Sequence, residues 1–229
     1  MLEIRGLVAG YGPVEILHEI DLDVGPGEIV ALVGANGAGK TTLLRAISGL
    51  ITARGGAIRF RGRDLAGLLP EQVVDCGIAH VPEGRRLFAG LTVRENLRVG
   101  AYRRGRDLDY VLDLFPRLGE RLRQVAGSLS GGEQQMCAIA RGLMSSPDLL
   151  MVDELSLGLA PILVEQILDR LGTIAADGTA VLLVEQDVDA ALRLASRGYV
   201  LETGTIVAQG HSGELLADAR IREAYLGVA

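Results

Sequence analysis

Five apolar, mostly β-branched residues, Ile29-Val30-Ala31-Leu32-Val33, run directly into Gly34-Ala35-Asn36-Gly37-Ala38-Gly39-Lys40-Thr41. The apolar run predicts a buried parallel strand. The residues from Lys40 to Ser48, closed by Gly49, predict a helix with glycine at its end. A strand, a G-x-x-x-x-G-K-T loop and a helix in that order leave few folds open, because the loop must reverse the chain tightly between two packed elements. The glycines let successive backbone N–H groups turn toward one anion, and the helix N-terminus adds favourable dipole charge there. Gly34, Asn36, Gly37, Ala38, Gly39, Lys40, Thr41 and Thr42 are therefore the candidate phosphate cradle. Lys40 is expected to reach the β- and γ-phosphates of a nucleotide, and the Thr41 hydroxyl to ligate Mg²⁺. This is the Walker A pattern.

A second glycine-rich segment, Leu129-Ser130-Gly131-Gly132-Glu133, precedes Met136, Ile139, Ala140, Leu143 and Met144. Their i, i+3, i+4, i+7, i+8 spacing predicts a helix with one apolar face. Ser146-Pro147 ends it. Ser130, Gly131, Gly132 and Glu133 thus form a second candidate anion site at a helix N-terminus. Next comes Leu149-Leu150-Met151-Val152-Asp153-Glu154, a short buried strand with two acids at its C-terminal end, where ligands bind in parallel α/β sheets. Asp153 is placed to hold the Mg²⁺ shell as a Walker B carboxylate. If the strand continues, Glu154 points the other way, and it is the candidate for polarising an attacking water.

With these motifs in this order, the chain resembles an ABC-type ATPase, the nucleotide-binding subunit of an ABC transporter, over nearly its whole length. Within that family it is most similar to the LivF-type subunit of branched-chain amino-acid importers. The narrower resemblance rests on Val81-Pro82-Glu83-Gly84-Arg85-Arg86-Leu87-Phe88, Ser156-Leu157-Gly158-Leu159-Ala160-Pro161 and Leu183-Val184-Glu185-Gln186, which fall in the Q-loop, D-loop and H-loop regions. The resemblance implies an α/β fold: a P-loop NTPase core with an antiparallel β subdomain and a helical subdomain inserted at about 92–146, all in one domain over 1–229. It implies ATP and Mg²⁺ as ligands and Glu83, Glu154 and Gln186 as catalytic residues, with Glu83 also near the metal beside Thr41 and Asp153. It places Tyr11 against the adenine, where stacking contributes about 1 kcal/mol.

The resemblance also implies partners. Ser130 to Gly132 of one chain would cover the nucleotide held by Lys40 and Thr41 of another, either a second copy or a LivG-like sister. Two membrane permeases, and indirectly an extracytoplasmic binding protein, would complete an importer on the cytoplasmic face of the membrane. Its cargo would be branched-chain amino acids, with urea, amides or other amino acids as alternatives. The loop from Glu83 to Leu91, with Phe88 and Leu91, is the expected place for a groove accepting a short permease helix.

The chain departs from the superfamily pattern at several positions. Most members carry Gln where Glu83 stands and His where Gln186 stands. A carboxylate can still ligate Mg²⁺ or its water, but adds negative charge. Gln can donate N–H bonds but cannot become cationic, so no His-type titration of hydrolysis is expected from that position. Leu155 replaces the usual Pro after Glu154, and Leu157-Gly158-Leu159 lacks the usual Asp.

Composition narrows the alternatives. A formal charge of −6 gives no electrostatic case for nucleic acid, which disfavours a soluble ABC ATPase of DNA repair or translation. The presence of Lys40, Asp153 and Glu154 disfavours a silent nucleotide-binding regulator. Arg85-Arg86 and Arg103-Arg104-Arg106 are expected to form solvated faces. Cys76 and Cys137 read as buried reduced thiols. There is no secretory signal pattern and no apolar window long enough to span a bilayer.

The remaining elements read as follows. Leu2–Val8 and Ile16–Val24 are strands of an antiparallel sheet with a turn near Gly10 to Pro13. Ala57 to Gly62 is a strand and turn, and Ile78–Val81 is a strand feeding Glu83. Pro161–Gly172 is a helix with Pro at its start. Ala180–Val184 is a buried strand, and Gly198–Gly210 is a hairpin turning at Glu202-Thr203-Gly204.

Overall fold

The computed structural model of the chain describes residues 1–101, 105 and 107–226. The Arg103-Arg104-Arg106 cluster therefore lies outside the described residues. Strands β1 (Leu2–Tyr11), β2 (Val14–Val24), β4 (Gly55–Phe60) and β5 (Arg63–Asp64) form an antiparallel sheet in the order β2-β1-β4-β5. Strands β3 (Ile29–Val33), β6 (Ile78–Val81), β7 (Leu149–Asp153), β8 (Ala180–Glu185), β9 (Arg197–Glu202) and β10 (Thr205–His211) form the second sheet, in the order β10-β9-β3-β8-β7-β6. All of its pairings are parallel except β9 with β10, which is the expected hairpin.

Every residue of β3, β7 and β8 is buried, which explains their unbroken apolar runs. Alternation then splits each strand between two cores. Val30, Leu32, Leu149, Met151, Leu182 and Val184 face one way, toward helix α1 (Lys40–Ile47) and the antiparallel sheet. Ala31, Val33, Leu150, Val152, Val181 and Leu183 face the other way. There they meet a helical layer formed by α3 (Val93–Gly100), α4 (Leu108–Leu114), α5 (Pro116–Glu120), α6 (Gly131–Leu143), α7 (Pro161–Ala176), α8 (Val188–Leu194) and α9 (Ser212–Ala217), whose apolar residues share this core, whereas α2 (Pro70–Asp75) sends Val73 into the first. Helices α3 to α6 fall in the stretch expected to be helical. Val93, Leu97, Leu118 and Ile139 from them belong to the same core as the sheet.

Local chemistry sets the ends of these elements. Thr92 caps α3 and Ser130 caps α6, each accepting the N–H of a glutamate three residues on. Pro161 opens α7 at a position where its missing N–H costs nothing. That helix runs to Ala176, four residues beyond the glycine expected to end it. Gly172 sits mid-helix with only Leu194 Cδ1 near its missing side chain, so packing overrides its weak propensity. Strands β1 and β2 are likewise longer than expected, and leave only Gly12-Pro13 as their turn. Cys137 is buried, whereas Cys76 at the end of α2 is half-buried.

Candidate functional site at the ends of four parallel strands

Strands β3, β6, β7 and β8 deliver their following residues to one edge of the sheet. β3 ends in the glycine loop, β6 leads to Glu83, β7 ends in Asp153 and Glu154, and β8 ends beside Gln186. The loop needs its glycines for defined reasons. A Cβ on Gly34 would lie 2.2 Å from the Leu201 carbonyl oxygen, a backbone atom that cannot yield. Gly39 has φ of +112°, which disfavours any L side chain, and Leu17 crowds it at 2.8 Å.

Lys40 is buried and its ammonium is held at three points. It donates to the Gly34 carbonyl at 2.7 Å and the Ala35 carbonyl at 3.1 Å, and pairs with Glu154 Oε1 at 3.2 Å. The Thr41 hydroxyl donates to Asp153 Oδ2 at 3.0 Å. The other Asp153 oxygen is buried and has no hydrogen-bond partner. Burial, opposed by the Thr41 hydrogen bond and reinforced by the charges of Glu154 and Glu83, pushes the Asp153 carboxyl up to about 6. A buried anion with one free oxygen beside a threonine hydroxyl is a donor set suited to a hard divalent cation.

Glu154 does not continue the strand. Its φ is +46°, and its N–H donates to the Val184 carbonyl at 2.8 Å, so the chain bends away from β7 at this residue. The expected alternation after Asp153 therefore fails. The bend turns the carboxylate toward Lys40 rather than along the sheet.

A cleft of about 430 Å³ over the loop is lined by Tyr11, Asn36, Gly37, Gly39, Lys40, Thr41, Thr42, Glu83 and Glu154. Nine of the predicted site residues thus converge. The Tyr11 ring is 41% exposed, and its hydroxyl accepts from Arg45 Nη1 at 3.0 Å. That bond holds the hydroxyl beside Arg45 of α1, and Tyr11 lines the cleft. Glu83 is exposed and reaches both this cleft and a neighbouring one lined by Thr41, Asp153 and His80. Gln186 is exposed one residue past β8, and is not among the residues lining the cleft.

Ser130, Gly131 and Gly132 do not line the cleft of their own chain either. They open α6 on the helical side. Glu133 is committed locally: its carboxylate accepts the Ser130 N–H at 2.9 Å and the Ser130 hydroxyl at 2.8 Å, and pairs with Arg121 at 2.7 Å. Burial alone would raise its pKa, but these bonds and the nearby arginines hold it below the usual carboxylate range. Glu133 therefore shapes the serine–glycine loop and has little left to offer a ligand directly.

Two contributors were not among the expected site residues, although both lie in segments read from the sequence. Glu185 is buried and accepts from the Ser156 N–H at 3.2 Å and the Ser156 hydroxyl at 2.7 Å, which ties the turn after Glu154 to the end of β8. His80 meets Ser48 at 3.1 Å, linking β6 to the end of α1. Arg85, expected on a solvated face, is half-buried and bonded to Gln134, while Arg86 is exposed as expected. Among the described residues no helix is long and apolar enough to cross a membrane.

Comparison with known proteins agrees with this geometry. The ABC transporter family model matches residues 17–156. The branched-chain amino acid transport ATP-binding protein BraG of Pseudomonas aeruginosa is 49% identical, covering 99% of this chain and 100% of its own. The probable branched-chain amino acid transport ATP-binding protein LivF of Archaeoglobus fulgidus is 38% identical over 100% of this chain and 99% of its own. LivG of Escherichia coli, a high-affinity branched-chain amino acid transport ATP-binding protein, is 30% identical over 100% and 98%. The crystal structure of a nucleotide-free ATP-binding cassette from an ABC transporter superposes with a TM-score of 0.88 at 26% identity, covering 100% of this chain and 99% of that one. With loop, carboxylates and serine–glycine helix placed as described, the chain belongs to the ABC transporter family of ATP-hydrolysing, ATP-binding cassettes.

Proposed function

We propose that this chain is the ATP-hydrolysing subunit of an importer for branched-chain amino acids, working as half of an ATP-closed pair. The observation that carries the hydrolytic part is the pair of contacts at the end of β7, Thr41 with Asp153 at 3.0 Å and Lys40 with Glu154 at 3.2 Å. The loop amides and Lys40 bind the phosphates, and Tyr11 stacks on the base. Thr41 and Asp153, with Glu83 at the edge, would hold Mg²⁺, which would offset the phosphate charge when bound. Two protein oxygens beside phosphates and waters suffice for Mg²⁺, so no dense acidic cluster is needed.

In the hydrolytic step, a water oxygen attacks the γ-phosphorus and the bond to the ADP oxygen breaks. Glu154 accepts the water proton, and ADP and inorganic phosphate leave. Lys40 must exchange Glu154 for phosphate before this occurs, which frees the carboxylate for the water. Gln186 donates N–H to the γ-phosphate. Ser130, Gly131 and Gly132 of a second chain close the site, with closure favoured because ATP binds the closed state better than the open one.

The transport reading draws on the named relatives BraG and LivF. The partner across ATP is then a LivG-like sister or a second copy. An apolar groove of about 500 Å³ lined by Val74, Phe88, Val99, Ala138 and Arg141 suits a short permease helix. Leu91, expected beside Phe88, instead offers its carbonyl to Asn96 and Ala126 and does not line the groove. Such docking places the chain on the cytoplasmic face of the membrane, with an extracytoplasmic binding protein serving the permeases and no nucleic acid involved. Mass spectrometry of a tagged pull-down in mild detergent tests this. Two apolar permeases and a sister ATPase are expected, and recovery of ribosomal or repair proteins alone overturns the transport reading.

A further inference from the structure

Arg85 occupies an unusual stretch of backbone. Gly84, Arg85 and Arg86 have φ of +75°, +66° and +45°, so two successive side-chain-bearing residues are held in the left-handed region. The strain directly follows Glu83, and it turns the Arg85 side chain toward the serine–glycine helix. Its Nη1 donates to Gln134 Oε1 at 3.1 Å. The Gln134 amide in turn donates to the Leu129 carbonyl at 3.2 Å and the Gly127 carbonyl at 3.4 Å, the backbone that leads into Ser130. The same guanidinium lies against Gly131, with Nη2 3.1 Å and Nη1 3.4 Å from where a Cβ would stand. From the other side, Arg141 of α6 lies over the Phe88 ring at 5.5 Å and donates to the Arg85 carbonyl at 3.4 Å.

The far end of the loop is fixed independently. Asn96 is fully buried, accepts the Phe88 N–H at 3.0 Å, and donates to the Phe88 and Thr92 carbonyls at 3.1 and 3.0 Å. Ala89 and Leu91, at that fixed end, accept the Gly127 and Ala126 N–H groups at 3.0 and 2.8 Å, so the side-chain link from the strained segment beside Glu83 to the Ser130 loop among these bonds runs through Arg85. From this geometry we infer that Arg85 is a positioning residue: it transmits the state of Glu83, at the chain's own nucleotide, to the Ser130–Gly132 loop that serves the partner's nucleotide. The inference rests on Glu83 sensing nucleotide, as proposed above. A planar fork that both bonds Gln134 and covers a glycine is a task for Arg and not for Lys.

Hydrogen–deuterium exchange of the full chain tests this, with and without Mg²⁺ and the non-hydrolysable analogue AMP-PNP, at a dilution where light scattering gives a monomer. In the native chain, protection is expected at both 83–87 and 127–134. In Arg85→Ala and Arg85→Lys it is expected to persist at 83–87, while at least half of the nucleotide-induced change at 127–134 is lost. Gln134→Glu still accepts from Arg85 but can no longer donate to the Leu129 and Gly127 carbonyls, and it is expected to lose the change as the Arg85 variants do. A merely structural Arg85 would alter exchange equally with and without nucleotide. An unchanged nucleotide response at 127–134 in both Arg85 variants overturns the proposal. Absence of protection at 83–87 in the native chain, with AMP-PNP bound, overturns the Glu83 reading and the proposal with it.

Discussion

The Lys40 ammonium lies 3.2 Å from the Glu154 carboxylate, with 3% and 12% of the two side chains exposed. In the mechanism proposed above, the cation that would bind phosphate and the base that would activate water neutralise each other. Phosphate binding must separate them, so occupancy of the loop and release of the base are one event. Removing either partner from such a buried pair leaves the other uncompensated.

Glu154→Gln is expected to lower ATP turnover by about 10²–10⁴-fold, the usual contribution of a positioned base. It should also bind ATP more tightly, since Lys40 no longer has a carboxylate to leave. Turnover assays and calorimetric titration check both, and light scattering should find an ATP-trapped pair. A variant that hydrolyses at the native rate would remove Glu154 from the mechanism.

Lys40→Ala is expected to weaken ATP binding by roughly 10–100-fold, since charge-assisted hydrogen bonds contribute about 1.5–3 kcal/mol. Gly34→Ala should do at least as much by another route, because its Cβ would strike the Leu201 carbonyl at 2.2 Å and displace the loop. Titration with ATP analogues checks both, and the melting temperature should fall in each: in Lys40→Ala because Glu154 is left uncompensated, and in Gly34→Ala because the loop is displaced.

His80 titrates far from its usual range, pushed down to about 4, first by burial and then by the charge of Arg45. The unfolded chain binds this proton near pH 6.5, so the contribution to stability is fully present above that pH and is lost as pH falls toward about 4. The loss amounts to something on the order of 3 kcal/mol. His80→Gln should flatten the urea-midpoint profile between pH 7 and about 4 relative to the native chain; parallel profiles would show that His80 does not carry it.

Arg197 joins three elements. Its Nε and Nη2 donate to Glu28 at 2.5 and 3.1 Å, Nη1 donates to the Tyr199 hydroxyl at 2.7 Å, and Nη2 donates to the Asp23 carbonyl at 2.7 Å. This node ties β9 to β2 and to the turn before β3. Arg197→Lys keeps the charge but loses the fork, and should cost roughly 1.5–3 kcal/mol of unfolding free energy with little change in ATP affinity. Chemical denaturation followed by nucleotide titration separates these effects.

Much of the site was legible because it is local. The glycine loop, the helix after it and the serine-capped α6 depend on residues within a few positions of one another, and backbone sterics and capping act over that range. The strands β3, β7 and β8 were legible for a related reason, since burial on both faces demands unbroken apolar runs. Glu154 was not: its bend depends on the Val184 carbonyl of a neighbouring strand, so alternation along β7 gave the wrong direction. Arg85 read as a surface charge because Gln134, its acceptor, lies 49 residues away.

The sequence by itself determined that a phosphate loop, two carboxylates and a second glycine helix exist, because each is a short pattern whose chemistry is written in adjacent side chains. Only the tertiary structure decided which of them meet. The crossovers of the parallel sheet bring the ends of β3, β6, β7 and β8 to one edge, and they leave Ser130–Gly132 outside the cleft of its own chain. That convergence is set by strand order and register, which come from packing two cores against one sheet, and no local pattern encodes it.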